Sequence, residues 1–63
     1  MAEKLLKYYG YIESKKGPIG RMQLAQKTRI PSNFVNNVTD SNENIEKFRK
    51  AVEEITGESA PNY

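Results

Sequence analysis

The sequence predicts an all-α fold, a small four-helix domain, and three observations carry that expectation. Apolar residues recur at steps of three and four along most of the chain. Helix-breaking residues fall between the periodic stretches, at Gly17-Pro18, Arg29-Ile30-Pro31 and Gly57. The β-branched residues nowhere alternate over four or more positions, as a half-buried strand requires.

The first helix is expected over residues 3–15, with Leu5, Tyr9 and Ile12 on one stripe. Gly10 interrupts it at a cost of about 1 kcal/mol relative to alanine, which implies a closely approaching neighbour or a bend. Gly17-Pro18 ends it, because proline lacks an amide proton and pushes its predecessor out of the helical region. A short second helix follows over residues 19–28, where Met22 and Ala25 are spaced to face a common core. Pro31 suits the first turn of a third helix running to about Val38. The fourth begins near Asp40-Ser41, whose side chains can cap free amides, with Glu43 completing a capping-box pattern. Its core stripe is Ile45, Phe48, Val52 and Ile55, and Gly57 supplies a left-handed cap. Residues 1–57 are expected to form the single domain and residues 58–63 a flexible tail.

Size and composition narrow the function. Sixty-three residues, 37% of them hydrophobic, suit one core of marginal stability, because a domain this short buries only about 60% of the surface its unfolded chain exposes. With no cysteine and no histidine, disulfides are excluded and zinc or haem would lack their usual ligands, so no cofactor is expected. The start Met1-Ala2-Glu3-Lys4 leads into lysine and tyrosine rather than an apolar run, and no stretch approaches the roughly 20 apolar residues of a membrane span. A cytoplasmic, unprocessed protein without a membrane partner is the expectation. Charge is lopsided: residues 1–30 hold seven cations against two carboxylates, residues 31–63 three against six. A basic face toward a polyanion and simple solvation of helix surfaces both fit that distribution.

The stretch from Gln23 to Val38 carries the most information: Gln23-Leu24-Ala25-Gln26-Lys27-Thr28-Arg29-Ile30-Pro31-Ser32-Asn33-Phe34-Val35-Asn36-Asn37-Val38. Over residues 20–39 it resembles the helix-turn-helix of phage repressor and Cro proteins, and Ile30-Pro31-Ser32 with Val35 is similar to the turn and recognition helix of IclR-type regulators. Two helices crossing steeply need a small residue in the first and apolar residues at fixed offsets. Leu24 would anchor the first helix, Ala25 would admit the second, Ile30 would fill the turn, and Val35 and Val38 would seat the second on the core. The sequence departs from the pattern at Arg29, where glycine usually permits a positive backbone angle, and more mildly at Thr28.

The resemblance implies a sequence-specific, DNA-binding transcriptional regulator. Ser32, Asn33, Asn36 and Asn37 would then face the bases of double-stranded DNA, and Arg21, Lys27 and Arg29 its phosphates. A homodimer would place two recognition helices one DNA turn apart, about 34 Å. The same asparagines also fit plain polar surface, since residues 31–38 contain no lysine or arginine. The alternative is a small helical protein-interaction module, an adaptor or inhibitor, that binds no nucleic acid.

Other signals carry less. Lys7-Tyr8-Tyr9-Gly10-Tyr11 interleaves bases with aromatics, as some single-strand binders do. Tyr9 is expected inside and Tyr8 or Tyr11 exposed. Asp40 to Asn44 begins like a calcium loop, but Ile45 stands where glycine must turn and Ala51 where a bidentate glutamate belongs, so no metal site is expected. Asn37-Val38-Thr39 matches a glycosylation acceptor of the sort frequent by chance. Serine and threonine have no histidine to activate them, so neither catalytic residues nor a small-molecule substrate is expected.

Overall fold

The computed structural model describes residues 3–63 and contains two α-helical elements and one 3-10 turn. These are α1 (Glu3–Thr28), the turn Val35–Asn37 and α2 (Asn42–Thr56), with no strand among the described residues. Met1 and Ala2, part of the start expected to lack a leader, lie outside them. The fold is all-helical, but the four-helix domain with a helix-turn-helix is not what forms.

The boundary expected at Gly17-Pro18 is present as a sharp break inside α1. Gly17 takes φ 68°, ψ −156°, a region that is essentially glycine-only because any Cβ would clash there. Pro18 then opens the second arm, where its missing donor and fixed φ suit a first helical turn. A straight helix of 26 residues would be about 39 Å long, yet the molecule measures 25 Å along its longest axis. The chain therefore doubles back, and Arg21 reaches Glu13, eight residues earlier, at 3.3 Å.

The close approach between the arms falls at Gly20, not at Gly10. A Cβ on Gly20 would lie 2.6 Å from Lys16 Cβ and 3.0 Å from the Ile12 carbonyl oxygen. Gly10 is exposed with nothing nearby and no break of its own, so both expectations for it fail. The second arm accordingly buries Gly20, Leu24 and Thr28, one residue per turn. Met22, expected in the core, points to solvent. Ala25 is half-buried and packs against the core edge.

Thr28 and Arg29 end α1. The Thr28 hydroxyl donates to the Leu24 carbonyl at 2.7 Å and accepts from the Ile30 amide at 3.3 Å, which accounts for a buried threonine at this position. Arg29 adopts φ 61°, the positive angle for which glycine is usual, and its amide donates to Ala25 O at 2.7 Å as a left-handed cap.

The third helix expected over residues 31–38 is replaced by tight turns. Phe34 N donates to Pro31 O at 2.8 Å, Asn37 N to Phe34 O at 2.9 Å and Val38 N to Val35 O at 3.2 Å, all of i to i+3 type. Val38 is already extended, at φ −124° and ψ 169°. Serine, asparagine and valine dominate here; the first two offer the backbone competing hydrogen bonds and the last is stiff at χ1. Eight such residues are too few to repay helix nucleation without strong packing.

α2 follows its pattern closely. Ser41 is the N-cap, accepting from Asn44 N at 3.2 Å, and Gly57 at φ 74° closes the far end. Phe48 and Val52 are fully buried, and Ile45 and Ile55 pack against the core. Asp40 does something else: its carboxylate accepts from the Lys4 amide at 3.1 Å and from the Leu5 amide at 3.4 Å. It thus caps α1, more than thirty residues away in sequence, and places negative charge at that helix's positive end.

The core joins Leu5, Tyr8, Tyr9 and Ile12 of the first arm to Leu24, Ile30, Val35, Phe48, Ala51 and Val52. Tyr8, expected as a surface candidate, is completely buried, and Pro61 and Tyr63 of the tail lie against it. Its hydroxyl donates to Pro61 O at 2.7 Å, Tyr63 meets its ring edge-on at 4.9 Å, and Ala60 N donates to Glu53 Oε2 at 3.3 Å. The tail expected to be flexible is in contact with both helices through these groups.

Candidate functional site

The Gly17 break leaves an open groove of about 400 Å³ where the two arms of α1 diverge toward the loop after Arg29. Tyr9 and Glu13 form one wall, Arg21, Met22 and Ala25 the other, and Pro31 closes an end. The Tyr9 ring forms a fixed part of the first wall. Its hydroxyl donates to the Ile30 carbonyl, its ring meets Phe48 edge-on at 5.7 Å, and the Arg21 guanidinium stands 5.7 Å from its centroid. Burial raises the Tyr9 pKa above its ordinary value, against the opposing pull of the neighbouring Thr28 hydroxyl and Arg21. The hydroxyl therefore stays a donor, and the loop stays pinned to α1.

The groove's lip is apolar and uncovered. Met22 is 63% exposed, and Ile19, one turn earlier on the same outward face, is 66% exposed. The surrounding stretch, residues 16–32, holds four cations, Lys16, Arg21, Lys27 and Arg29, and no carboxylate, with Arg21 and Lys27 paired to Glu13 and Glu54.

The residues expected to contact DNA bases do not lie along one helix. Asn33, Asn36 and Asn37 are exposed and Ser32 half-buried, but they sit on successive tight turns rather than along one face of a helix. Of the three cations expected at phosphates, Arg21 pairs with Glu13 at 3.3 Å and Lys27 with Glu54 at 3.1 Å, while Arg29 is exposed in its left-handed cap. The hydrophobic part of the motif does join the core, since Ile30 and Val35 are buried in it and Ala25 and Val38 pack against it. Without a helix over residues 31–38, that packing does not present side chains to a major groove as a recognition helix does.

Sequence reasoning missed the groove because it assigned Met22 to the core. A signal was available: Gly20, Leu24 and Thr28 recur at four-residue steps and mark the face that meets the first arm. Among the described residues, no helix is long and apolar enough to cross a membrane. No known protein family, curated protein or solved structure matches the chain.

Proposed function

We propose that the protein is a small protein-binding module that captures an acidic, amphipathic segment of a partner in the groove of α1. The carrying observation is the uncovered pair Ile19 and Met22, of which Met22 lines the groove, in a stretch, residues 16–32, that holds four cations and no carboxylate. Two large apolar side chains one turn apart, each left about two-thirds in water, form an adjacent pair rather than single scattered residues, which supports an interaction surface. Burying one fully is worth about 1.5–3 kcal/mol, so covering this pair would supply roughly 2–4 kcal/mol. The surrounding cations select the partner's sign and steer its approach.

Selection of displayed random peptides against the whole protein tests this reading. Enriched peptides should combine aspartate or glutamate with apolar anchors, bind less tightly as salt rises, and lose roughly tenfold in affinity to Met22→Ser. Absence of enrichment, or enriched peptides that bind Met22→Ser as tightly as the native protein, would contradict it. Salt-sensitive self-association through the acidic α2 of a second copy would also contradict it, by assigning the face to a homodimer.

A further inference from the structure

We infer that the opposite flank of α1, together with Tyr63, forms a binding edge for single-stranded nucleic acid. Lys4, Lys7, Tyr11 and Lys15 follow at steps of three, four and four on one stripe of the first arm, with Lys7 and Lys15 about 12 Å apart along it. Each of these two lysines rests over a tyrosine: Lys7 Nζ is 5.7 Å from the Tyr63 ring centroid and Lys15 Nζ 5.7 Å from that of Tyr11. Tyr63 is 38% exposed and Tyr11 half-buried, so both rings have a backing and an open side. The backing of Tyr63 is the buried Tyr8 ring at 4.9 Å.

Among the described residues, Lys4, Lys7 and Lys15 join none of the ion pairs. Of the carboxylates near this flank, Glu46 pairs with Arg49 at 3.5 Å, Glu53 accepts from the Ala60 amide at 3.3 Å, and Asp40, at the Lys4 end, accepts from the Lys4 and Leu5 amides. The arrangement is two backed aromatic rings, each beside an uncommitted ammonium. A duplex would use the ammoniums and leave the rings idle, because its base faces are stacked away. A single strand uses both, with phosphates on the lysines and bases on the tyrosines. An exposed cation–π contact is weaker than a base stack, so an arriving strand draws each ammonium to a phosphate and takes the ring face that it leaves.

The test is fluorescence anisotropy with labelled thymidine and uridine dodecamers at low salt, beside a duplex of the same length and inorganic polyphosphate. Either dodecamer should bind saturably and more tightly than the duplex, and a preference between the two distinguishes DNA from RNA as the source. Tyr63→Leu and Tyr11→Leu should each weaken single-strand binding by about 5- to 150-fold while leaving polyphosphate binding unchanged. Lys7→Gln with Lys15→Gln should flatten the logarithmic salt dependence by about 1.4. If Tyr11→Leu fails to fold by circular dichroism, Tyr63→Leu decides alone. The inference is overturned by no saturable binding to either dodecamer, by equal or tighter binding of the duplex, or by tyrosine variants that bind single strands like the native protein or lose polyphosphate in parallel.

Discussion

The same substitution at two glycines of α1 should act with opposite sign. Replacing Gly10 or Gly20 by alanine gains about 1 kcal/mol of helix propensity at either position. At Gly10 nothing stands within 4 Å of the new methyl, so the whole gain is expressed. That corresponds to a rise in Tm of roughly 4–8 °C for a domain of this size. At Gly20 the methyl would meet Lys16 Cβ at 2.6 Å and the Ile12 carbonyl oxygen at 3.0 Å, whereas carbon atoms pack at about 3.5–4.0 Å. Lys16 Cβ is fixed to its backbone, so the two arms must separate by about 1 Å. Overpacking of this kind costs about 1–3 kcal/mol, which leaves Gly20→Ala some 0–2 kcal/mol less stable than the native protein. Urea denaturation followed by far-UV circular dichroism measures both variants, and their difference isolates the steric contribution of about 1–3 kcal/mol. Equal stabilisation of the two variants would refute the folded-back arrangement of α1, because a straight helix presents no neighbour at Gly20.

Three further outcomes follow from the caps and the buried tyrosines. Asp40→Ala removes the cap of α1 and should lower stability by about 1 kcal/mol, and an unchanged urea midpoint would show that the Lys4 and Leu5 amides do not depend on it. Arg29→Gly relieves a left-handed residue at φ 61° and should raise stability by about 0.5–1 kcal/mol, once glycine's greater unfolded freedom is offset; a loss of stability in the same urea titration would contradict the cap. Burial raises the pKa of both Tyr8 and Tyr9, so the fold favours their neutral forms. Stability should therefore be complete below the ordinary tyrosine value of about 10 and decline as the pH climbs past it. Urea midpoints recorded up to strongly alkaline pH should show that decline, and Tyr8→Phe should reduce it.

Local signals in the sequence were legible wherever local physics decides the outcome. Gly17-Pro18 breaks the helix because glycine can adopt the positive φ found there and proline has no amide to bond the preceding turn. Ser41, Gly57 and the Phe48–Val52 stripe likewise behave as their spacing predicts. Long-range contacts account for what was missed. Asp40 fits a capping box for α2, yet its carboxylate serves α1, because the loop returns the chain to that helix's start. Tyr8 lies against a tail whose own composition reads as coil. The face of the second arm is set by the close approach at Gly20, which turns Met22 outward and so creates the groove. Over residues 31–38 the motif's apolar positions reach the core while the helix itself does not form, since burial of Val35 requires no helical path between Pro31 and Val38.

Amide chemical-shift mapping of the isotope-labelled protein, titrated with an acidic peptide obtained from the selection, addresses the docking proposal most directly. Perturbations confined to residues 18–32, with the largest near Ile19 and Met22, are the predicted result. Shifts centred on Lys7, Tyr11 and Tyr63, or spread evenly across both helices, would contradict it.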